Sequence, residues 1–205
     1  MRVAAEAEAP AVIEAAWAEA AGAPGSVPAF DRMVALRSLA VRHGDEAYLR
    51  AVRGLAAPEG VAAFVDPLPA QGTRLVDVLP AEGVSSEARE AVRAAEEEAY
   101  RHSEDPRFRF APEAGVAALR AAGWAVHRAE TVDLEETRVF PARALDRWFA
   151  AGAPFRERLA AHGLDDAGVA AVERPLRAAL QEREVSWRTR WSIITAGPAA
   201  DDEAD

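Results

Sequence analysis

Apolar positions fall into short continuous runs and into helical stripes, separated by Pro, Gly and capping residues, and their alternation predicts an α/β chain. Phe30–Leu36 (FDRMVAL) follows a Pro/Gly-rich turn at 23–28 and reads as a short strand bounded by breakers. Residues 61–65 (VAAFV), behind the turn Pro58-Glu59-Gly60, form a continuous apolar run of the kind found in strands covered on both faces. Further strands are predicted over 124–132 (WAVHRAETV) and 185–195 (VSWRTRWSIIT), and 3–5 could be the stub of an earlier one.

Helices fill the intervals. Residues 10–21 open with Pro and stop at Gly22. Residues 45–55 carry Asp45 as N-cap, with Ala47, Leu49, Val52 and Leu55 as the buried stripe. A short helix is predicted over 73–79. A strong one follows over Ser86–Arg101, capped by Ser85-Ser86, with Glu87 and Glu90 at the positive end of its dipole. Residues 112–122, 141–150, 154–162 and 165–182 complete the set, the last with a bend expected at Pro175. Residues 198–205 read as a disordered acidic tail.

The order carries a resemblance. "FDRMVALRSL" looks like the fourth strand of a class I S-adenosylmethionine-dependent methyltransferase-like domain. "DEAYLRAVRGLAAPEGVAAFVDPLP" looks like the following helix, Pro-x-Gly turn and fifth strand, and "GVAALRAAGWAV" like the helix leading into the sixth. "VSWRTRWSIITAG" resembles the seventh strand, which in this family runs antiparallel between the fifth and the sixth. The resemblance implies a partial Rossmann-like, methyltransferase-type sheet of order 4-5-7-6 with helical insertions. It covers roughly 28–197, leaving 1–27 as an N-terminal helix and the remnant of a preceding strand. "GTRLVDVLP", "RALDRWFAAGAPFRERLAAHGL" and "VSWRTRW" are also similar to the methyltransferase-like domain fused to replication-associated recombination ATPases of the AAA+ class, although no Walker motif occurs here.

That family holds S-adenosylmethionine with a Gly-rich turn after its first strand and an acid at the end of its second. No G-x-G-x-x-G occurs in this sequence, and Gly22-x-x-Gly25 and Gly152 lack a strand–turn–helix setting. The expectation is therefore a non-catalytic or truncated module, the carboxy-terminal half of the fold, acting through a protein partner, with no cofactor as given. The alternative is a true methyltransferase that uses S-adenosylmethionine once a missing amino-terminal half is supplied. A sheet begun at Phe30–Leu36 exposes that strand as an edge, to be covered by residues 1–22 folding back, or completed by a protein partner or by self-association.

Composition narrows the chemistry. All 24 basic residues are Arg, which removes Schiff-base and P-loop lysine chemistry, and no cysteine supplies a thiolate. A net charge of −10 opposes nucleic-acid binding by this chain alone. No apolar run approaches the roughly 18 residues of a membrane span, and residues 1–9 lack a signal peptide's apolar stretch, so a cytoplasmic location is expected. His43, His102, His127 and His162 lack ligand spacing, so no metal site is expected. Ser85-Ser86 reads as a cap rather than a nucleophile, and Glu96-Glu97-Glu98 and Asp165-Asp166 as solvated faces, leaving no catalytic residue named.

Two segments remain as candidate substrate or partner contacts. Asp66 and Pro67 follow the carboxyl end of a predicted strand, where ligands sit in open α/β sheets, although the prolines there also simply end the strand. Trp187, Arg188, Arg190 and Trp191 set an aromatic face against an arginine face. Such a strand can stack bases; the charge favours packing, with both Trp under a helix and the Arg stems on the other face.

Overall fold

In a computed structural model, residues 30–200 are described; the helix expected over 10–21, the stub at 3–5 and the tail from 201 lie outside them. β1 (Phe30–Leu36) and β2 (Ala56–Pro67) run parallel, joined by α1 (Leu39–Arg42) and α2 (Glu46–Arg53). α2 starts where Asp45 accepts the Tyr48 N–H at 3.0 Å, and it ends in Arg50 and Arg53, which suit the negative end of its dipole. Leu49 and Val52 are buried as expected, but Ala47 faces solvent.

β2 begins five residues before the predicted strand. Pro58-Glu59-Gly60 is not a turn but part of a bulge: pairing jumps from Phe30↔Ala56 to Arg32↔Val61. Gly60 is required there, because a Cβ would lie 2.7 Å from the Phe30 carbonyl oxygen.

After β2 come α3 (Leu75–Val78), α4 (Ser86–Arg101) and α5 (Pro112–Ala121), then β3 (Trp124–Val139). α6 (Ala142–Phe149), α7 (Pro154–Ala161) and α8 (Asp166–Leu180) lead into β4 (Glu184–Pro198). β4 lies antiparallel between β2 and β3, so the sheet order is β1-β2-β4-β3. This is the mixed α/β sheet expected from the sequence, with the antiparallel last strand inserted before the third.

β3 runs seven residues past its predicted end, paired with the first half of β4. Its extension, DLEETRV, is polar because an edge strand needs little apolar cover. β4 also runs on into the predicted tail. Pro198 ends the strand, and the Ala199 N–H donates to the Gly123 carbonyl at 2.9 Å. α8 continues through Pro175; the helix tolerates it because Ala171, whose carbonyl loses its donor, is exposed to solvent.

Two cores result. One sheet face buries Phe64, Ile194 and Trp124 against Leu39, Leu49 and Leu119 of the three helices α1, α2 and α5. Trp124 sits edge-on to Phe64 with ring centres 5.4 Å apart, and its Nε1 donates to the Leu49 carbonyl at 3.1 Å. The second core joins α4, α6, α7 and α8 through Val92, Leu145, Leu159 and Leu176, and Trp187 packs against it. Among the described residues no strand lies outside β1, and no helix is long and apolar enough to cross a membrane.

Candidate functional site

The loop after β2 is tied to β4 beyond their last ladder pair, Pro67↔Trp191. Leu68 N–H donates to the Arg190 carbonyl and Thr73 N–H to that of Arg188, both at 2.8 Å. Arg188 N–H returns a bond to Thr73 Oγ1 at 2.9 Å. The approach is close enough that a Cβ on Gly72 would lie 2.7 Å from the Arg188 carbonyl oxygen. A pocket of about 290 Å³ opens here, at the carboxyl ends of the parallel strands, where open α/β sheets take ligands.

Among the described residues four arginines line it, Arg37, Arg138, Arg188 and Arg190; so do Tyr100, Phe108, Trp187 and Trp191. Arg37 directly follows β1 and is held at φ 56°, a left-handed conformation uncommon for any residue but glycine. Tyr100 stacks on Phe108 with centres 5.0 Å apart, and the Arg74 guanidinium lies 4.5 Å from the Tyr100 ring centre. Burial pushes the Tyr100 hydroxyl above the usual phenol range, with neighbouring Glu96 adding to the rise. Arg190 grips Asp133 with two bonds at 2.7 and 2.8 Å, which holds that carboxyl below the ordinary aspartate range.

A second pocket of about 290 Å³ shares Tyr100, Arg138 and Trp187 with the first. Its wall is aromatic. Phe140 lies 5.1 Å from Trp187 and 5.9 Å from Trp148, and Phe155 adds a further ring.

The candidate residues from the sequence divide. Pro67, Trp187, Arg188, Arg190 and Trp191 all line the first pocket. Asp66 does not: it is 1% exposed, and its carboxylate accepts the Ala40 N–H at 2.9 Å and the Leu39 N–H at 3.3 Å. Its task is to cap α1. Burial raises its carboxyl above the ordinary value, partly offset by those two N–H groups and by His43.

Glu96 does the same for α3, which corrects the expectation that Glu96-Glu97-Glu98 is wholly a solvated face. Its buried carboxylate accepts the N–H groups of Leu75 at 2.8 Å and Val76 at 3.2 Å. Here too burial raises the carboxyl, against the pull of the same two N–H groups. Ser85 and Asp165 cap α4 and α8 through Ala88 and Gly168.

Arg37, Tyr100, Phe108, Arg138, Phe140 and Trp148 carried no signal in the sequence, because each stands alone in its own segment and only the fold collects them. The histidines stand apart: His43 Nδ1 lies 3.0 Å from the Leu39 carbonyl and His162 Nε2 2.9 Å from Glu98.

No family profile matches the chain, and no curated protein does. Solved structures give weak likenesses. The [4+2]-cyclase SpnF is 20% identical at a TM-score of 0.35, covering 88% of this chain and 54% of its own. A candidate methyltransferase from Bacillus halodurans C-125 is 10% identical at 0.38, covering 88% and 75%. A candidate type II methyltransferase from Anaeromyxobacter dehalogenans is 23% identical at 0.39, covering 85% and 67%. The chain thus spans about half the length of the cyclase.

Proposed function

We propose that this chain is a methyltransferase-like binding module that is not catalytic by itself and acts through a protein strand added to β1, which a second copy of the chain supplies when no other partner is present. The observation that carries the reading is the β1 edge. Val34 and Leu36 are 69% and 67% exposed, on the strand face opposite Met33 and Ala35, which pack into the core. Among the described residues the outer N–H and C=O groups of β1 meet no other strand. Only Asp31 and Arg32 bring charge to FDRMVAL, and no proline blunts it, so the edge invites pairing. The partner class suggested by the sequence resemblance is a recombination ATPase of the AAA+ class.

The helix starts after the two parallel strands support the non-catalytic part. A nucleotide-like cofactor in such folds needs a Gly-rich turn and free N–H groups at a helix start. Here the β1–α1 junction is Leu36-Arg37-Ser38-Leu39, without glycine, and Asp66 occupies the first N–H groups of α1. Glu96 occupies those of α3. These described junctions do not fit S-adenosylmethionine. The second reading, a methyltransferase whose cofactor-binding part lies elsewhere, is favoured by the pocket at the carboxyl ends of β1 and β2.

Light scattering on the purified chain tests the edge. The wild type associates, and Val34→Lys, which places a charge on the edge strand, restores the monomer. A wild type that stays monomeric at all concentrations overturns the reading. Calorimetry with S-adenosylmethionine addresses the alternative: a dissociation constant in the micromolar range, about 8 kcal/mol of binding, would favour the methyltransferase.

A further inference from the structure

We propose that residues 10–21 of this same chain dock as a helix on the apolar face of the sheet that the described helices leave uncovered. The helix runs back antiparallel to β1 and shields Val34 and Leu36 from water.

The vacant face is the first argument. The ladders pair Val34 with Ala63, Leu36 with Val65 and Val65 with Ile193, so these side chains share one face with Val61. Val34 and Leu36 are 69% and 67% exposed, and Val61, Ala63, Val65 and Ile193 are only half-buried. Parallel strands are ordinarily covered on both faces. The opposite face is already filled by α1, α2 and α5. The second helical core meets β4 further along, through Val185 and Trp187. A contiguous apolar patch rimmed by polar residues marks a docking surface.

The second argument is an occupant of matching shape. At about 100° per residue, Val12, Ile13, Ala16, Trp17 and Ala20 fall within an arc of about 140°. Glu14, Ala18 and Glu19 lie outside it. An arc of that width is the stripe a helix buries when it packs by one side.

Length and position supply the third. Residues 1–29 end at Phe30, where β1 begins. A helix over 10–21 is about 18 Å long, against about 23 Å for β1. Residues 22–29 reach at most about 26 Å, enough for the helix to end beside Phe30 and lie over Val34 and Leu36. That path brings Glu19, near the helix end, towards Arg32, which is exposed on the same face as Val34. The contact uses side chains of the face and leaves the edge N–H and C=O groups of β1 to a partner strand.

The test uses the full chain, which carries no cysteine, so an engineered pair reports on one contact. Ala16→Cys and Ala20→Cys, each combined with Ala63→Cys, are oxidised and read by non-reducing electrophoresis and intact mass. At least one pair should close a disulfide within a single chain, which requires Cα atoms within about 7 Å. Ala18→Cys with Ala63→Cys, on the far side of the helix, should close at least about ten-fold less. Hydroxyl-radical footprinting gives a second readout: Trp17→Glu should raise the labelling of Val34 and Leu36 several-fold over wild type. Should that variant fail to fold, the conservative cysteine pairs decide alone. The proposal is overturned if neither face pair closes, if the Ala18→Cys pair closes as readily, or if the links join two chains. It is also overturned if folded Trp17→Glu labels like wild type. Ala63 lies on β2, away from the β1 edge. A wild type that stays monomeric therefore sinks the edge reading and leaves these outcomes unaffected.

Discussion

Replacing Asp66 with Ala separates a structural carboxylate from a ligand contact. The side chain is buried and holds the N–H groups of Leu39 and Ala40, two residues that are themselves fully buried. A buried donor left without an acceptor costs about 1–3 kcal/mol, so the two together cost about 2–6 kcal/mol. Removing a carboxylate that burial disfavours returns part of that, leaving a net loss of about 2–4 kcal/mol at neutral pH. In a chain of this size each kcal/mol lowers the melting temperature by about 2–4 °C, so the expected drop is roughly 5–15 °C.

The pH dependence has a definite sign. Burial raises the folded-state value of Asp66, so the folded protein binds the proton more tightly than the unfolded chain. The stability this provides is complete below the ordinary aspartate value and is lost as pH rises through the raised one. The gap between wild type and Asp66→Ala is therefore widest in acid and narrows towards neutrality. Urea unfolding followed by far-ultraviolet circular dichroism, run at several pH values, measures both. A variant with wild-type midpoints but impaired ligand or partner binding would refute the structural assignment.

Gly60→Ala should cost about 1–3 kcal/mol, since the new methyl meets the backbone oxygens of Phe30 and Ala57 rather than a movable side chain, and chemical denaturation measures it directly. Trp187→Ala should lose about 2–4 kcal/mol, because the ring packs on Phe140 and the second helical core, and a thermal melt reads the loss. Arg188→Gln should leave the same melt within about 0.5 kcal/mol, as an exposed side chain with one distant carboxylate contributes little.

Those elements whose local chemistry agreed with their tertiary role were legible in the sequence. β1 was bounded by breakers, and α4 carried both its Ser85 cap and its helical spacing, so both match their predicted limits. The order β1-β2-β4-β3 was implied by the resemblance of the whole succession of segments to a methyltransferase-like fold, not by any one of them. The extension of β3 was hidden because DLEETRV forms an edge and pairs with an equally polar stretch of β4. Pro58-Glu59-Gly60 read as a turn because a bulge uses the same residues.

The site was legible only where its residues adjoin one another in the chain. Trp187, Arg188, Arg190 and Trp191 stood out as a pattern, whereas Tyr100, Arg138 and Trp148 come from three other elements. Asp66 was singled out for its place at a strand end, but the burial that turns it onto Leu39 and Ala40 has no signature in spacing. Glu96 was hidden by its two acidic neighbours.

Amide hydrogen exchange across Phe30–Leu36 of the full chain tests the central claim most directly. The account predicts that the outward amides of β1 become protected as the chain associates, and that Val34→Lys removes this protection while the inward amides paired with β2 stay slow. Outward amides that exchange as fast as loop amides at every concentration, in a chain that remains monomeric, would contradict it.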